Sequence, residues 1–170
     1  MELYVERGFE QTTVADIAER AGVTARTFFR HYADKREVLF SGSIALQEAM
    51  VAALDAAPAE ASALDAVAAA LDMAADLIGT NRAHSQQRYS VIIANTELQE
   101  RELSKMASLS AALADGLRRR GVPDPQAGLA AEAGIAVFRV GFEQWATTAD
   151  DRTLNQILRD SLAQLRALTS

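Results

Sequence analysis

The sequence predicts an all-α protein: an N-terminal three-helix domain built on a helix-turn-helix, then a C-terminal helical bundle, about nine helices in total. Three observations carry this. Apolar residues recur at three- and four-residue intervals along most of the chain, and nowhere do apolar and polar residues alternate as in a strand. The apolar fraction is 49% but aromatics are only 6%, so the interior has to be built from Ala, Leu, Val and Ile rather than from rings. Helix-capping residues stand at the heads of the apolar runs: Thr13 with Asp16, Thr24, Asp34 with Glu37, and Ser62 with Asp65.

In chain order, Glu2 to Arg7 reads as the tail of a first helix, with Leu3 and Phe9 facing inward and Gly8 ending it. The capping box of Thr13 and Asp16 opens a short second helix whose stripe is Val14, Ile17, Ala18 and Ala21. Gly22 supplies a left-handed stop, and Thr24 caps a third helix with Phe28 and Tyr32 one turn apart on its inner side. Two short helices joined by a Gly-containing turn make a helix-turn-helix, with the small Ala18 where the helices cross. Its outward face carries Ala25, Arg26, Thr27, Arg30 and His31. From Thr24 to Arg36 there are four Lys/Arg against one acid, a surplus suited to phosphate contact.

The run TTVADIAERAGVTARTFFRHYADKREVLF resembles the DNA-binding domain of the TetR family of transcriptional regulators, and the upstream ERGF fits the end of that domain's first helix. The resemblance covers roughly the first 45 residues; the remainder fits in helix count and length only. It implies a DNA-contact set of Thr13, Thr24, Ala25, Arg26, Thr27, Arg30, His31 and Lys35. In that set Thr13, Thr27, His31 and Lys35 hold phosphates, and Ala25, Arg26 and Arg30 reach base edges. Phe29 stands where the family often has a phosphate-contacting Tyr, and the first helix starts a turn or two late, as in a trimmed chain. Repression is the family's usual mode.

Net charge is −6, which suits a DNA-binding protein only once it is divided. Residues 1–40 hold six Lys/Arg and seven Asp/Glu, whereas the other 130 residues hold 11 and 16, so the acid lies mostly away from the contact face. The absence of cysteine excludes disulfides and thiolate chemistry and is consistent with the cytoplasm. The N-terminus carries no signal-type region, and no apolar run approaches a membrane span. His31 and His84 lie on different domains, and no phosphate-binding glycine loop, metal motif or serine elbow is present, so no catalytic residue, metal or cofactor is expected.

Asp34 is expected to open a long helix running to about Ala57, the continuous link between a domain at 1–40 and a second at 41–170. Its apolar residues include Val38, Leu39, Ile44, Leu46, Met50 and Leu54. A fifth helix runs from Ser62 to Gly79; a polar link at Thr80 to Arg82 precedes a sixth, with His84 solvated or capping. The seventh starts near Thr96 with Glu100 and Glu102 facing solvent, carries the stripe Leu103, Met106, Leu109, Leu113 and Leu117, and finishes in Arg118-Arg119-Arg120 before Gly121. Cations there complement the helix dipole rather than bind nucleic acid. The ninth helix is capped by Asp150 or Asp151.

The eighth helix is apolar on two sides: Ile135, Phe138, Phe142 and Trp145 on one, Leu129, Ala133, Val137 and Val140 on the other. Helices buried from two directions, with Gly134 and Gly141 allowing close approach, point to a homodimer through the last two helices. Its interface would comprise Gly134, Val137, Gly141, Leu154, Ile157, Leu158, Leu162 and Leu165. Larger apolar residues on the inner faces point to a cavity for a small apolar or amphipathic effector. The expected lining is Met50, Leu54, Leu71, Tyr89, Ile93, Leu109, Leu113, Phe142 and Trp145, with Arg88, Tyr89, Asn95, Arg139 and Gln144 as polar anchors. The whole reads as a ligand-responsive regulator that binds double-stranded operator DNA as a homodimer, without a membrane. The alternative is an all-α interaction module whose helix-turn-helix is only structural; steep salt dependence with site preference separates the two.

Overall fold

A computed structural model describes residues 1–149 and 151–168. Among them there are nine α-helices and no strand: α1 (Glu2–Arg7), α2 (Val14–Arg20), α3 (Ala25–His31), α4 (Ser43–Asp55), α5 (Ala63–Ile78), α6 (Arg82–Ile93), α7 (Thr96–Arg119), α8 (Asp124–Thr147) and α9 (Leu154–Leu168). Three helices start at predicted caps, Thr13, Thr24 and Ser62. Thr13 and Asp16 form the full capping box, and Ser62 accepts from the Asp65 N–H. Two caps differ. Asn81 caps α6, its Oδ1 accepting from the His84 N–H, after a single 3-10 turn over Gly79–Asn81, and His84 is the exposed rather than the capping residue. At α9, Thr153 and Gln156 cap reciprocally, each side chain on the other's N–H; Asp151 is not the cap, and Asp150 lies outside the described residues.

The long helix expected from Asp34 is broken. Lys35–Val38 is one 3-10 turn, and regular α4 starts only at Ser43. Asp34 does cap the turn, accepting from the Arg36 and Glu37 N–H groups, but Glu37 does not reach back; its carboxylate is taken by Arg101 of α7. Ser41 and Gly42, poor helix formers in sequence, fall at the break. No single stiff rod therefore joins the two halves of the chain.

They are joined by a shared core instead. Tyr4, Phe9, Leu39 and Phe40 bury against Val91 and Ile92 of α6 and Leu98 of α7. Around it, Arg88 donates from Nε to the Leu39 carbonyl at 2.8 Å and pairs with Glu102, Arg101 pairs with Glu37, and Arg36 with Glu97. Glu102 is thus half-buried in an ion pair and does not face solvent as expected. Apolar and ionic contacts cross the expected boundary at residue 40.

The larger core lies among α4, α5, α7, α8 and α9. On α5, Ala66, Ala70, Ala74 and Ala75 are buried, which lets neighbouring helix axes come close. Two of the three α8 glycines serve the same purpose within the chain. A Cβ on Gly134 would stand 2.4 Å from Val67 Cγ1 of α5, and one on Gly141 would stand 2.5 Å from Leu158 Cδ2 of α9. Leu103 departs from the α7 stripe and is exposed.

Candidate nucleic-acid interface

Helices α2 and α3 form the predicted helix-turn-helix. Gly22 takes the left-handed conformation at φ 66°, and the N–H of Val23 reaches back to the Ala18 carbonyl at 2.9 Å, so the chain turns without losing backbone partners. Ala18 is buried at the crossing. Thr24 caps α3 by accepting from the Thr27 N–H at 3.1 Å. Phe28 is buried and packs on Tyr32, ring centroids 5.3 Å apart, which fixes the rotation of α3 about its axis.

That rotation exposes Ala25, Arg26, Phe29, Arg30 and His31, with Thr24 exposed and Thr27 partly exposed at the helix start. Phe29 offers a bare ring edge-on to Phe28. The cations sort sharply. Arg7 pairs with Asp16, Arg20 with Glu2 and Glu6, and Arg36 with Asp34 and Glu97. Arg26 and Arg30 make no hydrogen bond or ion pair among the described residues. Two five-donor guanidinium groups without acceptors on one helix face suit a groove of acceptors, above all guanine O6 and N7.

Two residues of the implied contact set are engaged elsewhere. Lys35 points inward: its Nζ donates to the carbonyls of Phe9, Glu10 and Thr12 at 2.8, 3.4 and 3.1 Å and sits over the Phe9 ring. It ties the α1–α2 loop rather than offering a charge to phosphate, because three carbonyls and a ring already surround it. Thr13 has both N–H and hydroxyl on Asp16, whose carboxylate those bonds, helped by Arg7, hold below its ordinary pKa. The α2 N-terminus therefore carries its own anion.

With this geometry in view, comparison with known proteins identifies the chain. The family model for bacterial regulatory proteins of the tetR family matches residues 1–41, and that for the MftR C-terminal domain matches residues 61–169. The chain belongs to the TetR family of transcriptional regulators. The HTH-type transcriptional regulator TcmR of Streptomyces glaucescens is 49% identical over 59 residues, 35% of this chain and 26% of TcmR, so the match spans about a quarter of that relative. The crystal structure of PfmR, a TetR-family transcriptional regulator from Thermus thermophilus, shares the fold: TM-score 0.55 at 21% identity, covering 96% of this chain and 92% of that one. A TetR/AcrR-family regulator from Thermobifida fusca aligns with TM-score 0.42 at 18% identity over 96% and 90% of the two chains.

In this TetR-family chain most of the expected effector lining packs into the bundle core, and Leu109 also lines a cleft between α4 and α7. Met50, Leu54, Leu71, Leu109, Leu113 and Trp145 are buried together in the bundle core. Tyr89, Phe142 and Trp145 continue it as a run of ring contacts at 5.9 Å, and the Tyr89 hydroxyl turns to Glu143, its pKa raised by burial and then by that carboxylate. Ile93 is half-exposed, Arg88 is spent on Leu39 and Glu102, and Arg139 is exposed on the outside of α8.

The expected dimer residues are likewise interior. Gly134, Val137, Gly141, Leu154, Ile157, Leu158 and Leu162 are buried within one subunit, and Leu165 packs against the same core. What α8 leaves open is Leu129 at 72% exposure, Ala136, and Val140 at 62%, with Ala133 partly open between them. These four fall at i, i+4, i+7 and i+11, one stripe on one face. Periodicity shows that α8 has two apolar sides. Only the packing says which side faces out.

The Arg run at the end of α7 works on other elements. Arg120 donates to the carbonyls of Leu54, Asp55, Ala57 and Pro58, closing the C-terminus of α4; Arg119 pairs with Asp55, and Arg118 with Asp115 and Asp124. The dipole being complemented belongs to α4 as well as to α7.

Proposed function

We propose that this TetR-family regulator is a homodimeric, effector-released repressor that acts on DNA in the cytoplasm, placing α3 in the major groove of a near-palindromic operator. The observation that carries the reading is the pair of exposed guanidinium groups of Arg26 and Arg30, without acceptors among the described residues, in a chain that pairs nearly every other cation. Arg26 and Arg30 read base edges, with Ala25 beside them. Thr24, Thr27 and His31 hold the flanking phosphates. The apolar stripe Leu129, Ala133, Ala136 and Val140 seats against its own copy about a two-fold axis, the arrangement that sets two α3 helices about one DNA turn, roughly 34–36 Å, apart. The effector signal reaches α3 through the shared core and the ion pairs of Glu37 and Arg36, since α4 is not continuous with the DNA-binding end.

The test is duplex selection from a random pool, followed by affinity for the selected site against salt. A steep inverse salt dependence with preference for the selected site supports the reading. Equal affinity for selected and scrambled duplexes refutes it. Sedimentation of the free protein at micromolar concentration should give a dimer that becomes monomeric in Val140→Glu.

A further inference from the structure

Two clefts meet beside the first turn of α4. One, of about 580 Å³, opens between the α3 end, the Lys35–Val38 turn and α7; its charged lining is Arg36, Arg101 and Lys105 against Asp34 and Glu37, with His31 at the rim. The other, of about 230 Å³, runs between α4 and α7 past Leu46, Met106 and Leu109. Ser43, Ile44 and Lys105 line both, so the two are one groove, cationic at the DNA-binding end and apolar at the other.

Lys105 is the residue that marks the join. Its side chain is only 20% exposed, yet among the described residues its ammonium makes no hydrogen bond; the nearest acid, Glu37, stands 3.9 Å away and is already held by Arg101 at 2.6 Å. One carboxylate thus serves two cations, and three donors on Lys105 have no acceptor among the described residues. Just beyond, Ile44 leaves an aliphatic side chain 67% exposed on the apolar side of the join. A partly exposed ammonium, paired only at 3.9 Å with a carboxylate that Arg101 already holds, beside an open aliphatic surface is complementary to one kind of molecule.

We infer that this groove binds an amphipathic carboxylate, its head on Lys105 and the free edge of Arg101 and its aliphatic tail along Ile44, Leu46 and Met106. The inference rests on the effector-release reading above and moves the effector site from the bundle core to the α4–α7 surface. The consequence for DNA follows from Glu37. It belongs to the turn that follows α3, and its partners on α7 are the cations the ligand head would take. A bound carboxylate therefore competes for the tie between α7 and the DNA-binding end, and operator binding must in return weaken the carboxylate by the same factor.

The experiment titrates octanoate, decanoate and dodecanoate, each below its micelle concentration, into the full chain by calorimetry, with dodecanol and acetate as controls. Affinity should rise about two- to fourfold per added methylene, as for partial burial of each. Dodecanol should bind at least about tenfold more weakly than dodecanoate, and acetate not measurably. Lys105→Met should bring dodecanoate down to the dodecanol level, and Ile44→Glu should weaken both; thermal melts verify that each variant is folded. Equal affinity for dodecanol and dodecanoate, or dodecanoate affinity unchanged in both variants, would overturn the site. Arg26→Ala keeps the two readings apart: it should weaken operator binding and relax preference at one base pair per half-site while leaving dodecanoate binding intact. A dodecanoate that binds free and operator-bound protein equally overturns the release role, because a ligand without differential affinity shifts nothing.

Discussion

Two regions of this molecule are rich in arginine and use it in opposite ways. At the end of α7, Arg118, Arg119 and Arg120 stand consecutively, the densest basic run in the sequence, and every one is consumed by protein acceptors. On α3, Arg26 and Arg30 are four residues apart, carry less local charge, and have no protein acceptor among the described residues. Charge density along the chain therefore points to a helix whose cations are already paired. On the proposed nucleic-acid face the guanidinium donors are left without protein partners among the described residues, which emerges only when the helices are packed.

The comparison is sharpened by variants that remove cations from each class, beginning with the largest effect. Arg120→Ala deprives the α4 C-terminus of donors to several carbonyls and should cost about 1–3 kcal/mol of stability, read as a lowered Tm, with operator affinity of the folded fraction unchanged. Lys35→Ala should cost about 1–2 kcal/mol by releasing the α1–α2 loop, and normal operator binding should return below its melting temperature. If Lys35→Ala instead keeps full stability and loses DNA, the inward Lys belongs with Arg26 after all.

A smaller effect depends on pH. Asp34 has a pKa lowered by its hydrogen bond from Arg36, then by the backbone N–H groups it caps. A depressed carboxylate stabilises the fold above its unfolded pKa, about 3.9, and that contribution is lost as pH falls through the lower folded value. Asp34→Asn should thus be less stable than the parent at pH 7, the gap closing in acid-melting curves as pH falls below that unfolded value. The smallest change is Arg119→Ala, an exposed pair with Asp55, expected within about 0–1 kcal/mol of the parent in stability.

How much of this is legible from residues alone follows from the range of each interaction. The helix-turn-helix is, because the Thr13 box, the Gly22 turn, the Thr24 cap and the Phe28–Tyr32 spacing are all decided within a few residues. The buried face of α8 is half legible: 3.6-residue periodicity reveals two apolar sides but not which neighbour takes each. Gly134 reads in sequence as a contact with a second chain, yet its near neighbour is Val67 of the same one. The break after Val38 escapes a sequence reading because a good cap at Asp34 says where a helix begins, not how far it runs against Ser41-Gly42. Glu37 and Lys105 carry no sequence signal as a pair, since their meeting depends on α7 folding back over the turn.

The most direct measurement is fluorescence anisotropy on the selected operator and on its single-base-pair variants, for the parent, Arg26→Ala, Arg30→Ala and Arg118→Ala. The account predicts that Arg26→Ala and Arg30→Ala each lose about 1–3 kcal/mol on the operator and relax preference at one base pair per half-site, while Arg118→Ala matches the parent on every duplex. Unchanged affinity and preference in both α3 variants, or a loss confined to Arg118→Ala, would contradict it.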